Sequence, residues 1–248
     1  MNRILVGDNM NKTIDKVCMI TGVGDGTGAY TARKFAKSGY KIAMIARDSE
    51  RLSNLEKELP NSKGYVCDVS DLEKLQDICK KVKKEMGPPE ILIHNAVKGN
   101  FEKLLEGKAE WLEENFRINT TSLMYLAHSL IPDMIKNKKG VIIVTGNTAA
   151  KRGVASTPYF APTKAAQRIL AQSLAKDFGP QGIHVAYIIV DAFINTPWTR
   201  KRIPAQINQP DIIFTQPESI AEEIYHIAHQ SRSAWSFDVE IRPDIEKW

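Results

Sequence analysis

The segment best suited to holding a charged ligand is Thr21-Gly22-Val23-Gly24-Asp25-Gly26-Thr27-Gly28. Glycines at this density let the backbone turn tightly and bring its N–H groups close to an anion, and a helix beginning near Gly26 adds the positive end of its dipole. The apolar run from Lys16 to Thr21 reads as a strand and Ala29 to Lys37 as a helix. In that strand–turn–helix setting such a turn cradles a dinucleotide pyrophosphate. A second strand ends in Ala46-Arg47-Asp48, about twenty residues beyond the glycines, where a ribose-reading residue is expected. The Arg47 guanidinium suits a ribose 2′-phosphate, which favours NADP(H) over NAD(H). Two carboxylates weigh against it. Asp25 brings negative charge into the turn, and Asp48 adjoins Arg47, although it also suits the cap of the next helix.

Positioning these groups requires a sheet whose strands end together. Short apolar runs alternate with amphipathic helical stretches, which predicts parallel βαβ units: an α/β fold with one doubly wound, seven-stranded parallel sheet and helices on both faces. The strands are expected at Lys16 to Thr21, Lys41 to Ile45, Lys63 to Cys67, Ile91 to His94, Val141 to Thr145, His184 to Val190 and Ser236 to Ile241. Helices are expected to begin near Gly26, Ser49, Asp71, Glu110, Pro158 and Glu218. Gly87 with Pro88 and Pro89 closes the third of them. Ala192 to Pro217, punctuated by Pro197, Pro204 and Pro210, is the longest expected loop and falls at the carboxyl end of the strands, where ligands bind.

With 248 residues, 43% hydrophobic and 25% charged, the chain suits one globular domain over 14–248 behind a polar extension, 1–13. No apolar run approaches the length of a membrane span. Cys18, Cys67 and Cys79 lack metal-type spacing, so no metal is expected, and their odd number fits a reducing, cytoplasmic setting. The net charge of +5 is modest. Lys80, Lys81, Lys83 and Lys84 form the wet face of a helix whose apolar stripe is Leu72, Leu75, Cys79, Val82 and Met86. Without interleaved aromatics they give no reason to expect nucleic acid. A small-molecule substrate is the expected partner, with neither nucleic acid nor membrane.

Phe160-Ala161-Pro162-Thr163-Lys164 resembles the YxxxK helix of the short-chain dehydrogenases/reductases, with phenylalanine at the tyrosine position. The glycine turn matches that family's TGxxxGxG. Asp68-Val69 matches its adenine-contacting pair, and Asn95-Ala96 its NNAG motif, with Val97 replacing the last glycine. Asn119 matches its catalytic asparagine. The resemblance spans roughly residues 14–242 and implies a Rossmann fold with a nicotinamide dinucleotide held by Gly22, Gly24, Asp25, Gly26, Thr27, Gly28, Arg47, Asp68, Val69, Asn95, Ala96, Lys164, Ile194 and Thr196. It implies catalytic positions at Asn119, Asn147, Phe160 and Lys164. In the family the lysine binds the nicotinamide ribose and lowers the phenol pKa, and the asparagine is joined to it through water. The catalytic serine lies thirteen positions before the tyrosine and so falls on Asn147.

Both substrate-facing hydroxyls are therefore absent. The Asn147 amide or the Thr148 hydroxyl could polarise a carbonyl. Tyr159, one residue early on a helix expected from Pro158, points about 100° away from the usual phenol and reads as a packing aromatic rather than a donor. His94 reads as a structural histidine, Asp191 as a turn residue, and Trp198, Arg200, Lys201 and Arg202 as a solvated surface. The resemblance further implies a homodimer or homotetramer built through the last strand and the helices Glu110 to Lys136 and Pro158 to Asp177. Two activities remain open: an NAD(P)(H)-dependent oxidoreductase that reduces a carbonyl, or oxidises an alcohol, with a nonstandard proton donor, and a catalytically silent dinucleotide sensor or scaffold. A cofactor-free lyase is disfavoured by the intact glycine turn.

Overall fold

In a computed structural model the alternating apolar runs form β1 (Val17–Thr21), β2 (Lys41–Ala46), β3 (Ser62–Val66), β4 (Pro89–His94), β5 (Gly140–Asn147), β6 (Ile183–Val190) and, after a two-residue pair described below, a last strand, Asp238–Ile241. The structure describes residues 16–202 and 213–245; the expected extension 1–13 and the loop prolines Pro204 and Pro210 lie outside them. All pairings are parallel, in the order β3-β2-β1-β4-β5-β6 with Asp238–Ile241 at the far edge. The chain winds outward from β1 to β3, then returns to β4 on the other side of β1. Between β1 and β4 the connections therefore leave in opposite directions and open a crevice at the strands' carboxyl ends.

Alternation along the strands assigns the side chains to two cores. On one face Leu92, Ile142, Val144, Val185, Tyr187 and Ile189 meet α3 (Leu72–Met86), α5 (Ser122–Lys136) and α6 (Ala161–Phe178). On the other, Ile91, Ile93, Val141, Ile143, Ala186 and Ile188 meet α1 (Thr27–Lys37), α2 (Ser49–Glu58) and α8 (Pro217–Ala228). This period of two, buried on both sides, is why the strands read as continuous apolar runs. Asp48 caps α2 by accepting from Arg51 N at 3.0 Å, and Asp71 caps α3 by accepting from Lys74 N at 3.1 Å. Gly87, at φ 102°, closes α3 in the left-handed region.

The structure corrects three expectations. The continuous helix Glu110 to Lys136 is instead α4 (Glu110–Phe116), a wide π-type turn (Arg117–Thr121) and α5. There Ser122 N–H reaches back five residues to Arg117 O, a local widening that periodicity does not signal. The helix expected from Pro158 begins at Ala161, because Phe160 N and Ala161 N both bond to Thr157 O in a preceding turn. Pro162 then sits in the first turn, where a missing N–H costs nothing. The long loop contains β7 (Phe193–Ile194), α7 (Pro197–Arg202) and β8 (Phe214–Thr215), with β7 and β8 paired in parallel; the edge strand is thus β9.

Gly22 fixes the close approach of the segments that leave β1 and β4. Its φ is +68°, and a Cβ there would lie 2.6 Å from Ala96 N and Cα. Replacing Gly22 with alanine forces both an unfavourable φ and a backbone clash. Urea unfolding of Gly22→Ala is expected to show a loss of about 1–3 kcal/mol, and an unchanged midpoint would refute this close approach.

Candidate active site

The glycine turn leaves β1 at the crevice and enters α1. A Cβ at Gly28 would lie 2.5 Å from Gly22 O and 2.8 Å from Val23 Cα, so helix and turn meet without room for a side chain. Gly24, by contrast, faces open space. Thr27, at the start of α1, is buried. Over Gly26 sits the Thr196 methyl, 2.6 Å from where a Cβ would be, and Thr196 Oγ1 accepts from Thr199 N at 3.0 Å at the start of α7. Ile194, on β7, is half-buried and packs against the core on the α1, α2 and α8 face. An open backbone edge at a helix N-terminus, crowded below and roofed by Thr196, fits a pyrophosphate.

At the adenosine end, charge is balanced by a residue that sequence reading missed. Arg51 grips Asp25 through Nε at 2.7 Å and Nη2 at 3.1 Å, and its Nη1 lies 3.2 Å from Asp48. The carboxylate in the glycine turn is thus neutralised from α2; its only sequence signal is an arginine three residues after a cap. Arg47 stays exposed, with Nη1 3.7 Å from Asp68 Oδ2. Asp68 Oδ1 accepts from Ser70 N at 2.9 Å and Ser70 Oγ at 2.7 Å. Burial raises the Asp68 pKa, but the Ser70 bonds, Arg47 and Lys98 outweigh it and hold the group below its usual value. Val69 behind it is buried.

Asn95 is the keystone of the β4 end. Its Nδ2 donates to Gly22 O at 2.8 Å and its Oδ1 accepts from Thr145 Oγ1 at 3.0 Å. Ala96 is buried, with its N 3.4 Å from Thr21 Oγ1, whereas Val97 is 60% exposed. Asn119, in the wide turn, grips Lys98 at both ends: Oδ1 accepts from Lys98 N at 3.0 Å and Nδ2 donates to Lys98 O at 2.8 Å. His94 is fully buried against Thr21 Oγ1 at 3.0 Å. Burial, and secondarily the Lys164 charge, pushes its pKa down to about 3, so it is a neutral structural residue.

Lys164 is 1% exposed. Its Nζ donates to Thr145 O at 3.0 Å and to Gln167 Oε1. Burial pushes its pKa down to about 7. The Tyr187 ring lies beneath, its centroid 6.0 Å from Nζ, filling the space that a Gly146 Cβ would occupy. A single hydrogen-bonded frame thus runs from Gly22 through Asn95 and Thr145 to Lys164.

Phe160, just before α6, is 2% exposed and packs on Phe101 at 5.0 Å between ring centroids. A Cβ on Gly99 would lie 3.1 Å from the Phe160 ring. Tyr159 precedes the helix, so the expected 100° offset does not describe it. Its phenol instead donates to Leu104 O at 2.5 Å, its ring packs edge-on against Trp111, and its carbonyl accepts from Asn115 Nδ2 at 2.9 Å. That hydroxyl is directed into the loop after β4. Asn147 Oδ1 accepts from Ala149 N at 3.2 Å, which leaves Nδ2 without a partner among the described residues. Across the mouth, Arg202 lies over the rings of Phe101 at 5.7 Å and Trp198 at 5.3 Å, while Arg200 Nε donates to Asn195 Oδ1 at 2.6 Å.

Lys164 titrates near 7 in the folded chain and near 10.4 unfolded, so between these values the unfolded state holds the extra proton. Stability is therefore expected to rise with pH from about 7 towards 10, by on the order of a few kcal/mol. Comparing denaturant midpoints of wild type and Lys164→Met across that range checks this; the same slope in both proteins would refute it.

Residues 16–206 match the short chain dehydrogenase family. An uncharacterized oxidoreductase of Staphylococcus saprophyticus is 26% identical over 240 residues, covering 92% of this chain and 97% of its own. Among solved structures, a metagenomic short-chain oxidoreductase in complex with NADP superposes with a TM-score of 0.81 at 23% identity, covering 94% of this chain and 99% of that one. An NADPH-bound short chain oxidoreductase from Pseudomonas aeruginosa PAO1, described as containing an atypical catalytic center, gives 0.84 at 21% identity, covering 94% and 98%. Among the described residues no helix is long and apolar enough to cross a membrane, and no three His, Cys, Asp or Glu side chains group as metal ligands. With its family pattern matched over most of its length and its sheet wound in the same sense, the chain belongs to the short chain dehydrogenase family, a family of NAD(P)-dependent oxidoreductases.

Proposed function

We propose that this protein is an NADP(H)-dependent oxidoreductase that reduces a carbonyl, or oxidises the corresponding alcohol, with a proton donor other than the family's phenol. The observation that carries this reading is the frame from Gly22 through Asn95 and Thr145 to Lys164, which joins a pyrophosphate cradle to a buried amine with every link made. Gly22 to Gly28 hold the pyrophosphate, Asp68, Val69, Asn95 and Ala96 the adenosine, and Lys164 the nicotinamide ribose. Ile194 and Thr196 line the carboxamide end. The cofactor supplies hydride chemistry when bound. Asn147 Nδ2, left unpaired, polarises the substrate oxygen, and Asn119 holds the β4 loop in place through Lys98. Phe160 has no proton to give, so the proton comes from water or from the substrate.

NADP(H) is favoured because Arg51 neutralises Asp25 and Asp48, while Arg47, held among the described residues only by a 3.7 Å contact with Asp68, has a side chain 78% exposed and able to meet a 2′-phosphate. A lost charge-assisted contact is worth about 1.5–3 kcal/mol. Arg47→Ala is therefore expected to weaken NADPH binding by roughly 10–100-fold and leave NADH binding unchanged. Equal effects on both dinucleotides in a fluorescence titration would refute the assignment.

A sensor or scaffold is the second reading, favoured by one observation: Phe160 is sealed by Phe101, so the phenol's place is filled by an apolar contact. Turnover separates the two readings. Phe160→Tyr with Asn147→Ser is expected to raise carbonyl reduction by about 10²-fold or more, as a restored general acid does. Absence of NADPH oxidation by the wild type across aldehydes, ketones, quinones and acyl thioesters, with no gain in the double variant, would favour the sensor. Exposed Met124 on α5 and Ile169 on α6 fit the homo-oligomer that the family resemblance implies, and a monomer in sedimentation would exclude it.

A further inference from the structure

Gln167 is fully buried on α6, three residues beyond Lys164, where one helical turn brings the two side chains together. Its amide is engaged at both ends. Oε1 accepts from Lys164 Nζ and, at 3.2 Å, from the Tyr187 hydroxyl, while Nε2 donates to Asn119 O at 2.5 Å. Asn119 O belongs to the wide turn between α4 and α5, where the adjacent Ile118 carbonyl likewise accepts from a side chain, Ser122 Oγ, at 2.6 Å. An amide is a good clamp here because it offers an acceptor to an ammonium and a donor to a carbonyl at once. It is a poor proton conductor. A water molecule can take a proton on one side and release another from the same oxygen, whereas an amide would have to pass through its imidic acid tautomer.

We propose that Gln167 is the positioning residue of Lys164: it fixes the amine against β5 and closes the route between Lys164 and the Asn119 carbonyl that a water molecule would keep open. The functional consequence rests on reading Lys164 as the ribose-binding lysine, while the clamp itself is a property of the chain alone. It works in the same direction as Phe160 and Asn147. All three positions hold groups that pack or bind without relaying a proton. Lys164 then serves to hold a ligand, and a phenol installed at position 160 would have to be recharged from the substrate side.

Three other groups face Lys164. They are His94 on β4, held neutral; Tyr187 on β6, whose phenol burial keeps un-ionised; and the Thr145 carbonyl on β5, while the Asn119 carbonyl is met by Gln167. Charge is therefore best altered at position 167 itself. NMR titration of isotope-labelled lysine in the full chain, without cofactor, is expected to show the Lys164 midpoint rising by about one pH unit or more in Gln167→Glu, where a carboxylate faces the ammonium. It is expected to fall in Gln167→Met, which keeps the volume and removes the acceptor. In the wild type, the Gln167 side-chain amide protons are expected to exchange slowly with solvent. Unchanged midpoints in folded variants, or fast exchange of those amide protons, overturn the proposal. If neither variant folds, the wild-type exchange measurement decides it. Loss of NADPH binding alongside the expected titrations would refute the functional reading and leave the clamp standing.

Discussion

Burying the Lys164 amine at the carboxyl edge of the sheet is the constraint around which the rest of the site is arranged. An ammonium taken out of water costs several kcal/mol unless its protons are accepted and its charge is partly given up. Both happen here. The Thr145 carbonyl and Gln167 amide oxygen accept, and the pKa falls to about 7, so the neutral amine is available at physiological pH. Once Thr145 O is committed to the lysine, its hydroxyl is free to hold Asn95, which in turn holds Gly22 O. The residues just past β1 and β4 are therefore locked to each other and to Thr145 near the end of β5 through side chains.

The cofactor end obeys a different rule, that of backbone access. Glycines matter at positions 22, 26 and 28 because Ala96, Thr196 and the turn itself occupy the space a Cβ would need. At Gly24 the space is open, as a bound phosphate requires. Charge there is arranged in pairs, Arg51 with Asp25 and Arg47 with Asp68, at exposures where each pair contributes little to stability. Arg47 is the most exposed of these four groups.

On the substrate side the same scaffold carries different chemistry. Phe160 and Phe101 seal an apolar wall, Tyr159 spends its hydroxyl on Leu104 O, and His94 is buried as a neutral ring. Every aromatic or imidazole near the expected proton donor is thus withdrawn from proton transfer by a specific contact. What remains without a partner among the described residues is the Asn147 amide nitrogen, which can donate to an oxygen but cannot ionise to protonate it.

Much of this was legible in the amino-acid order. The apolar runs placed seven strands within a residue or two of their ends: the five central strands because burial on both faces leaves a continuous apolar pattern, and β9 because a half-buried edge alternates. The glycine turn and Arg47 were visible because their spacing is local to a strand end and a helix start, and Asp68, Asn95, Asn119 and Lys164 because they match the motifs of the family the chain resembles. Arg51, Thr145, Gln167 and Tyr187 were not, since each acts through a partner 19 to 48 residues away or through a turn whose width no local pattern encodes. The start of α6 at Ala161 instead of Pro158 was hidden for the same reason: the Thr157 turn sets it, and with it where Tyr159 points. The sequence by itself determined the sheet and the glycine turn, which follow from residue type and periodicity, and, through the family resemblance, the absence of both hydroxyls at positions 147 and 160. Only the tertiary structure decided that Asp25 is neutralised, that Tyr159 is occupied and that Gln167 stands behind Lys164, because a hydrogen bond between distant segments exists only once packing brings its two ends together.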